Sequence, residues 1–283
     1  MTGARGFTPG QALPLYTVRA NNTSTASENK IHDDSVARLY GFSGGLVPGV
    51  DVYAYMTHPV VHALGRDWLE RGQMSARFLK PFYEGDEVRL NAIVTRASSD
   101  AITVDLEATN AQGELCATGT AALPAAPDPA PAVEDFPTAP LPATRPPASE
   151  EALRATPTLG TIEDTFESAD KAAGYLKDIG ETLDLYRGPS AAAHPGYIIR
   201  FANSSLARNV LLGPWIHVSS EVTNFSSVAH GDTLTARGKV LDAFERKGHR
   251  FVDMDVLIVA NATKPVTRIH HTAIYEVRKV AGA

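Results

Sequence analysis

Three pairs of neighbouring residues recur along this 283-residue chain at almost constant distance. Leu39-Tyr40 returns as Leu185-Tyr186, Pro48-Gly49 as Pro195-Gly196, and Gly85-Asp86 as Gly231-Asp232, at offsets of 146, 147 and 146 residues. Landmarks held at one spacing over so long a span point to an internal duplication, which restricts the chain to folds that one half can make and then pair with its copy. Between the copies, residues 124–150 hold nine of the nineteen prolines, a composition that predicts an extended connector on the surface. The predicted organisation is therefore one unit over residues 1–123, a connector over 124–150 and a second unit over 151–283.

Each unit reads the same way. After Pro48-Gly49, residues 50–57 form an apolar helix that Pro59 is expected to end or kink, and residues 197–207 follow Pro195-Gly196 in the same manner. Downstream the period changes to two. Val88, Leu90, Ala92 and Val94 share one face, as do Ile102, Val104, Leu106 and Ala108, and then Leu115, Ala117, Gly119 and Ala121. The second unit repeats this with Leu234, Ala236, Gly238 and Val240, and with Val252, Met254, Val256 and Ile258. The Gly-Asp pairs sit where a turn must join consecutive strands. One buried helix followed by an antiparallel sheet is an α+β arrangement; helices do not alternate with the late strands, so a βαβ fold is excluded.

Composition narrows the partners. A hydrophobic fraction of 43% with 20% charged residues describes a soluble globular protein, and a net charge of -6 argues against nucleic acid or an acidic membrane surface. Residues 1–7 contain no apolar run of the kind a signal peptide needs, and no stretch reaches membrane-spanning length. The single cysteine, Cys116, rules out an intramolecular disulfide and suits a reducing, cytoplasmic setting; it is expected as a small packed residue in a strand.

The chemistry-bearing stretch is Ser27-Glu28-Asn29-Lys30-Ile31-His32, followed seventeen residues after the histidine by Gly49 at the head of the first apolar helix. An asparagine three residues before a histidine can hold a water or a proton, and a helix N-terminus offers N–H groups to a carbonyl that becomes an enolate. Competing motifs fail on context. Gly41-Phe42-Ser43-Gly44-Gly45 matches a hydrolase elbow but follows a helical segment, Val36–Tyr40, where a strand is required. The same lack of a preceding strand excludes a dinucleotide loop over residues 41–49. His58 and His62 have metal-binding spacing, but Pro59 interrupts their helix and no third ligand is evident.

Residues 27–123 resemble the hotdog-fold MaoC-like family, which includes the (R)-specific enoyl-CoA hydratases. The resemblance rests on Asn29-Lys30-Ile31-His32, on Asp34, on Gly45-Leu46-Val47-Pro48-Gly49-Val50, and on the stretch from Arg77 to Val88. The second unit resembles the same fold in outline, as in double-hotdog members where one chain does the work of a dimer. What the resemblance implies is an enoyl-CoA hydratase or 3-hydroxyacyl-CoA dehydratase, a hydro-lyase acting on an acyl-CoA thioester. His32 would be its catalytic histidine, Asn29 the residue that sets the water, and Gly49 the backbone donor to the thioester oxygen. Thr57 would lie near the substrate, and Arg77 and Lys80 would meet the CoA phosphates. No cofactor is implied, CoA being part of the substrate, and no metal. The family's aspartate falls on Ser27, and serine is no base near neutral pH; loss of a positioned acid–base group typically costs about 10²–10⁴ in rate, or about 3–5 kcal/mol of barrier. Asp33 or a carboxylate from elsewhere would have to replace it. Thioester hydrolysis and acyl-CoA binding without turnover are the alternatives. The second unit has no Asn-x-x-His before Pro195-Gly196, so one site per chain is expected, with the second helix as a wall. Self-association of the double unit into a homodimer is compatible with this pattern.

Overall fold

The computed structural model describes residues 6–166 and 169–278. Its helices are α1 (Asp34–Arg38), α2 (Gly49–Leu64), α3 (Arg66–Arg71), α4 (Glu150–Ala155), α5 (Ala169–Asp178) and α6 (Pro195–Ala207). Its strands are β1 (Tyr16–Arg19), β2 (Gln73–Phe78), β3 (Glu87–Ala97), β4 (Ala101–Thr109), β5 (Leu115–Pro124), β6 (Ile162–Thr165), β7 (Ile216–Asn224), β8 (Thr233–Arg246), β9 (His249–Ala260) and β10 (Lys264–Glu276). None of the described helices is long and apolar enough to cross a membrane.

All ten strands join in one antiparallel sheet, ordered β1-β3-β4-β5-β2-β7-β10-β9-β8-β6. The order reads the same from either edge once the two units are matched strand for strand. The seam is the β2–β7 pair, in which Ser75 lies opposite Glu221, the residue 146 positions further on, so the local two-fold passes through this pair. The duplication extends to single hydrogen bonds. Tyr83 N–H donates to the Asp86 carboxylate and Ala229 N–H to that of Asp232. Between them Gly85 and Gly231 adopt φ of +78° and +90°, a region that favours glycine, and donate their N–H groups to the carbonyls of Ala20 and Phe166. This is the double-hotdog architecture the sequence led us to expect: α2 and α6 lie against each other inside the sheet that wraps them.

Burial follows the period of two where one face meets the helices. Val88, Leu90, Val94, Val104, Leu106 and Ala108 are all buried on the inner face. Leu115 departs from the expectation and is exposed, because Ala108 pairs with Ala117 while Thr109 pairs with Leu115; Cys116 is an extra residue in a bulge that shifts the phase. Cys116 itself is buried in β5. On β9 the alternation is lost, since Leu257 and Val259 are buried as fully as Val256 and Ile258. The proline-rich connector explains this. Its Phe136 is buried against Leu257 and Val259 on the outer face, so this part of the connector is a cover rather than a free tether.

Pro59 does not end its helix: α2 runs through it to Leu64. Val60, Val61 and Leu64 beyond it are buried, and burying three such side chains, at about 1.5–3 kcal/mol each, outweighs the roughly 3 kcal/mol that an interior proline costs. An ion pair with its carboxylate buried crosses between the units, from Arg200 on α6 to Asp51 on α2 at 2.6 Å, with the Thr23 hydroxyl donating to the other Asp51 oxygen at 2.6 Å.

Candidate active site

The 3₁₀ turn Lys30–His32 and the head of α2 open into one apolar cavity of about 270 Å³. Asn29, His32 and Gly49 from the first unit line it together with Trp215 and His217 from the second. The site is therefore built across the seam, as β7 lies beside β2.

His32 Nδ1 lies 2.6 Å from the Leu46 carbonyl oxygen. A carbonyl only accepts, so Nδ1 carries the proton and Nε2 presents a lone pair. Burial pulls the His32 pKa below the usual histidine range, opposed in part by the Leu46 hydrogen bond and the Asp51 charge. The ring is thus neutral near pH 7, with its basic nitrogen toward Asn29 Nδ2 at 3.2 Å. Asn29 is fully committed. Its amide nitrogen also donates to Trp215 O at 2.9 Å, and its oxygen accepts from Trp215 N at 3.1 Å and Ile31 N at 3.3 Å. With both amide hydrogens engaged, Asn29 positions His32 and ties it to the second unit; it donates to a water only by exchanging its 3.2 Å contact with His32.

At the head of α2, Pro48 provides no side-chain cap, and no hydrogen bond from Gly49 N–H or Val50 N–H occurs among the described residues. These are two orphan donors at the positive end of a sixteen-residue helix, and Gly49, the first of them, lines the cavity. The equivalent point in the second unit is closed. His194 caps α6, its Nδ1 accepting from Gly196 N–H at 3.0 Å while Nε2 donates to buried Glu181 at 3.2 Å. Burial alone would raise the Glu181 pKa, but His194, His58 and the N–H of Leu183 hold it far below the usual carboxylate range. The second helix is therefore plugged by its own cap, which explains in physical terms why it offers no second cradle.

The remaining candidates separate. Lys80 lines the cavity but pairs with Glu114 at 2.8 Å. Arg77 points from the outer face of β2 into a different groove, because strand alternation sends it away from inward-facing Ala76. Thr57 is buried within α2, its hydroxyl donating to Ala54 O, and does not line the cavity. Ser27 does not line it either; its hydroxyl donates to Asn29 O at 3.3 Å. No carboxylate lines the cavity among the described residues. Asp33 caps α1, Asp34 accepts from Gly45 N–H, and Glu28 pairs with Arg145. His58, suggested by spacing as half of a metal pair with His62, donates instead to Glu181 at 2.8 Å, although α2 does keep the two rings on one face. His217 escaped the sequence reading. The only signal was a histidine at the start of an alternating strand, and nothing local says that this strand crosses to the other unit.

Comparison with known proteins agrees with the fold. A sequence model described as the thioesterase superfamily matches residues 72–117, from β2 into β5. No curated protein matches the chain. Among solved structures, the chain is similar to one described as a MaoC domain protein dehydratase from Chloroflexus aurantiacus J-10-fl, at 14% identity and a TM-score of 0.65, with 98% of each chain covered. It is also similar to a Mycobacterium tuberculosis protein described as having a double hotdog fold, at 18% identity and TM-score 0.64, covering 95% of this chain and 96% of the other. A third is a protein from Lactobacillus plantarum described as an oleoyl thioesterase, at 11% identity and TM-score 0.51, covering 94% and 97%. At these identities the likeness establishes the double hotdog fold.

Proposed function

We propose that this protein acts on an acyl-CoA thioester, interconverting the 2-enoyl and 3-hydroxyacyl forms. One observation carries the proposal: a neutral histidine with its basic nitrogen free of a proton, and an uncapped helix N-terminus, share one apolar cavity. With the thioester oxygen on the Gly49 N–H, water adds to Cβ and gives its proton to His32 Nε2. The electron pair moves to the thioester oxygen, where the α2 terminus stabilises the enolate. His32 then returns the proton to Cα, and the reverse sequence is dehydration. The long 3.2 Å Asn29–His32 contact is the one that water displaces. Lys80, which lines the cavity, would meet the CoA portion by exchanging its pair with Glu114.

The experiment is incubation with enoyl-CoAs of several chain lengths while following loss of the conjugated thioester. We expect turnover that His32→Gln lowers by about 10²–10⁴; turnover unchanged in that variant would remove His32 from the mechanism. The absence of a lining carboxylate favours a second reading, in which the same cradle binds acyl-CoA without reaction. Saturable binding with no loss of the enoyl chromophore would support it. Release of CoA thiol from saturated acyl-CoAs would point instead to hydrolysis.

A further inference from the structure

His217 heads a buried chain that runs away from the cavity. Its Nε2 lies 2.9 Å from Ser220 Oγ, and Ser220 Oγ lies 2.9 Å from His271 Nδ1. The two rings stack with centroids 4.1 Å apart. Residues three apart on a regular strand face opposite ways, so His217 and Ser220 should not meet. They do because β7 carries a bulge: Thr272 pairs with Ser219 but Ala273 pairs with His217, leaving Val218 extra. The bulge turns His217 and Ser220 to the same inner face, and His271 lies directly opposite Ser220 on β10. Both rings are buried, and His217 Nδ1 and His271 Nε2 have no hydrogen-bond partner.

Those two orphan nitrogens mark the ends of a chain with two neutral arrangements that keep the Ser220 hydroxyl proton within it. In one, His217 Nε2–H donates to Ser220, whose hydroxyl donates to His271 Nδ1; His217 Nδ1 is then bare. In the other, His271 Nδ1–H donates to Ser220, whose hydroxyl donates to His217 Nε2; His217 then carries its proton on Nδ1. Burial, and for His217 the neighbouring His271, push both pKa values down, His271 to about 3, so neutral rings are the relevant forms. The free nitrogen of His217 lies against Gly49: a Cβ placed there would be 3.0 Å from Nδ1.

We propose that His217, in its Nδ1–H form, is a second donor to the thioester carbonyl oxygen beside the Gly49 N–H, and that Ser220 and His271 are positioning residues whose hydrogen bonds supply the proton that Nε2 accepts in that form. A neutral imidazole at a helix N-terminus polarises a carbonyl without the cost of burying an imidazolium. The bound oxygen satisfies the N–H that would otherwise be left without an acceptor, so the ligand selects one of the two arrangements. This inference rests on the thioester reading above.

The test is ring-¹⁵N histidine NMR on the full chain, which distinguishes Nδ1–H from Nε2–H tautomers, with His217→Gln and His271→Gln used to assign signals. The probe is the ketone analogue of butyryl-CoA, in which a methylene replaces the thioester sulfur. We expect saturation to convert His217 to the Nδ1–H form. Ser220→Ala is expected to weaken analogue binding about tenfold by calorimetry, and Ser220→Thr to restore it to within threefold. Binding that shifts His32 but leaves His217 on Nε2–H would overturn the assignment and leave the thioester reading intact. No binding of the analogue, or of longer-chain versions of it, would overturn both. The tautomer measurement is made on the unaltered protein, so it holds even where a variant fails to fold.

Discussion

A methyl group on Gly49 would meet Nδ1 of His217 at 3.0 Å and its Cβ and Cγ at 3.2 Å, closer than comfortable contact. The ring must shift by a few tenths of an ångström, at a strain of about 1–3 kcal/mol. Gly49→Ala is therefore expected to lower enoyl-CoA turnover at least tenfold while leaving the protein folded, as steady-state kinetics beside a thermal melt would show. Ser27 makes the opposite case. The family resemblance would put an aspartate at this position, yet the Ser27 hydroxyl is turned to the Asn29 carbonyl and does not line the cavity. Ser27→Asp should leave turnover within threefold, and a tenfold gain would show that a carboxylate there does reach the water. Asn29 and His32 were legible from their spacing. That Asn29 spends its whole amide on His32, Trp215 and Ile31 was not, because Trp215 lies 186 residues away.

At the level of elements, the two central helices began as copies and now differ at their N-termini. In α2 the residue before Pro48 is Val47, and the first N–H groups are left open. In α6 the residue before Pro195 is His194, whose ring accepts from Gly196 and holds Glu181. Removing this histidine deprives α6 of its cap and the buried Glu181 carboxylate of a donor, and a hydrogen bond to a charged group is typically worth about 1.5–3 kcal/mol. His194→Ala should lower the urea midpoint accordingly; a loss below about 1 kcal/mol would mean that His58 and the backbone donors suffice for Glu181. On β3 and β4, where one face meets the helices, the alternating pattern matches the burial. The pattern and the burial part at the Cys116 bulge and on β9, where a bulge or a covering segment changes what a side chain faces without changing the local pattern.

For the molecule as a whole, the buried histidines are expected to make stability fall as the pH drops. The folded pKa of His32, His194 and His217 lies below 6.5, and that of His271 near 3, in each case chiefly through burial. Unfolded histidines titrate near 6.5, so below that pH the unfolded chain binds more protons than the folded one. Their stability contribution is complete above pH 6.5 and declines as pH falls, by up to about 1.4 kcal/mol per pH unit for each fully titrating histidine. Urea denaturation should show a lower midpoint at about pH 5.5 than at about pH 7.5; a midpoint that held or rose would contradict the burial of these rings as neutral groups. Because the sheet is continuous through β2 and β7 and the cavity straddles that seam, this loss belongs to both units at once.

The sequence by itself determined the duplication, the helix-then-sheet order of each unit, the Gly-Asp turns and the Asn29–His32–Gly49 set, because each is written in residue types at short or repeating intervals. Tertiary structure alone decided that Pro59 stays inside α2, that Phe136 covers β9, that Arg77 and Thr57 lie outside the cavity, and that no carboxylate lines it. It also decided that the second unit contributes His217 to the first unit's cradle. These outcomes depend on which surfaces become buried against one another across the seam. No local period or motif spacing encodes a contact between residues as distant in the chain as Gly49 and His217.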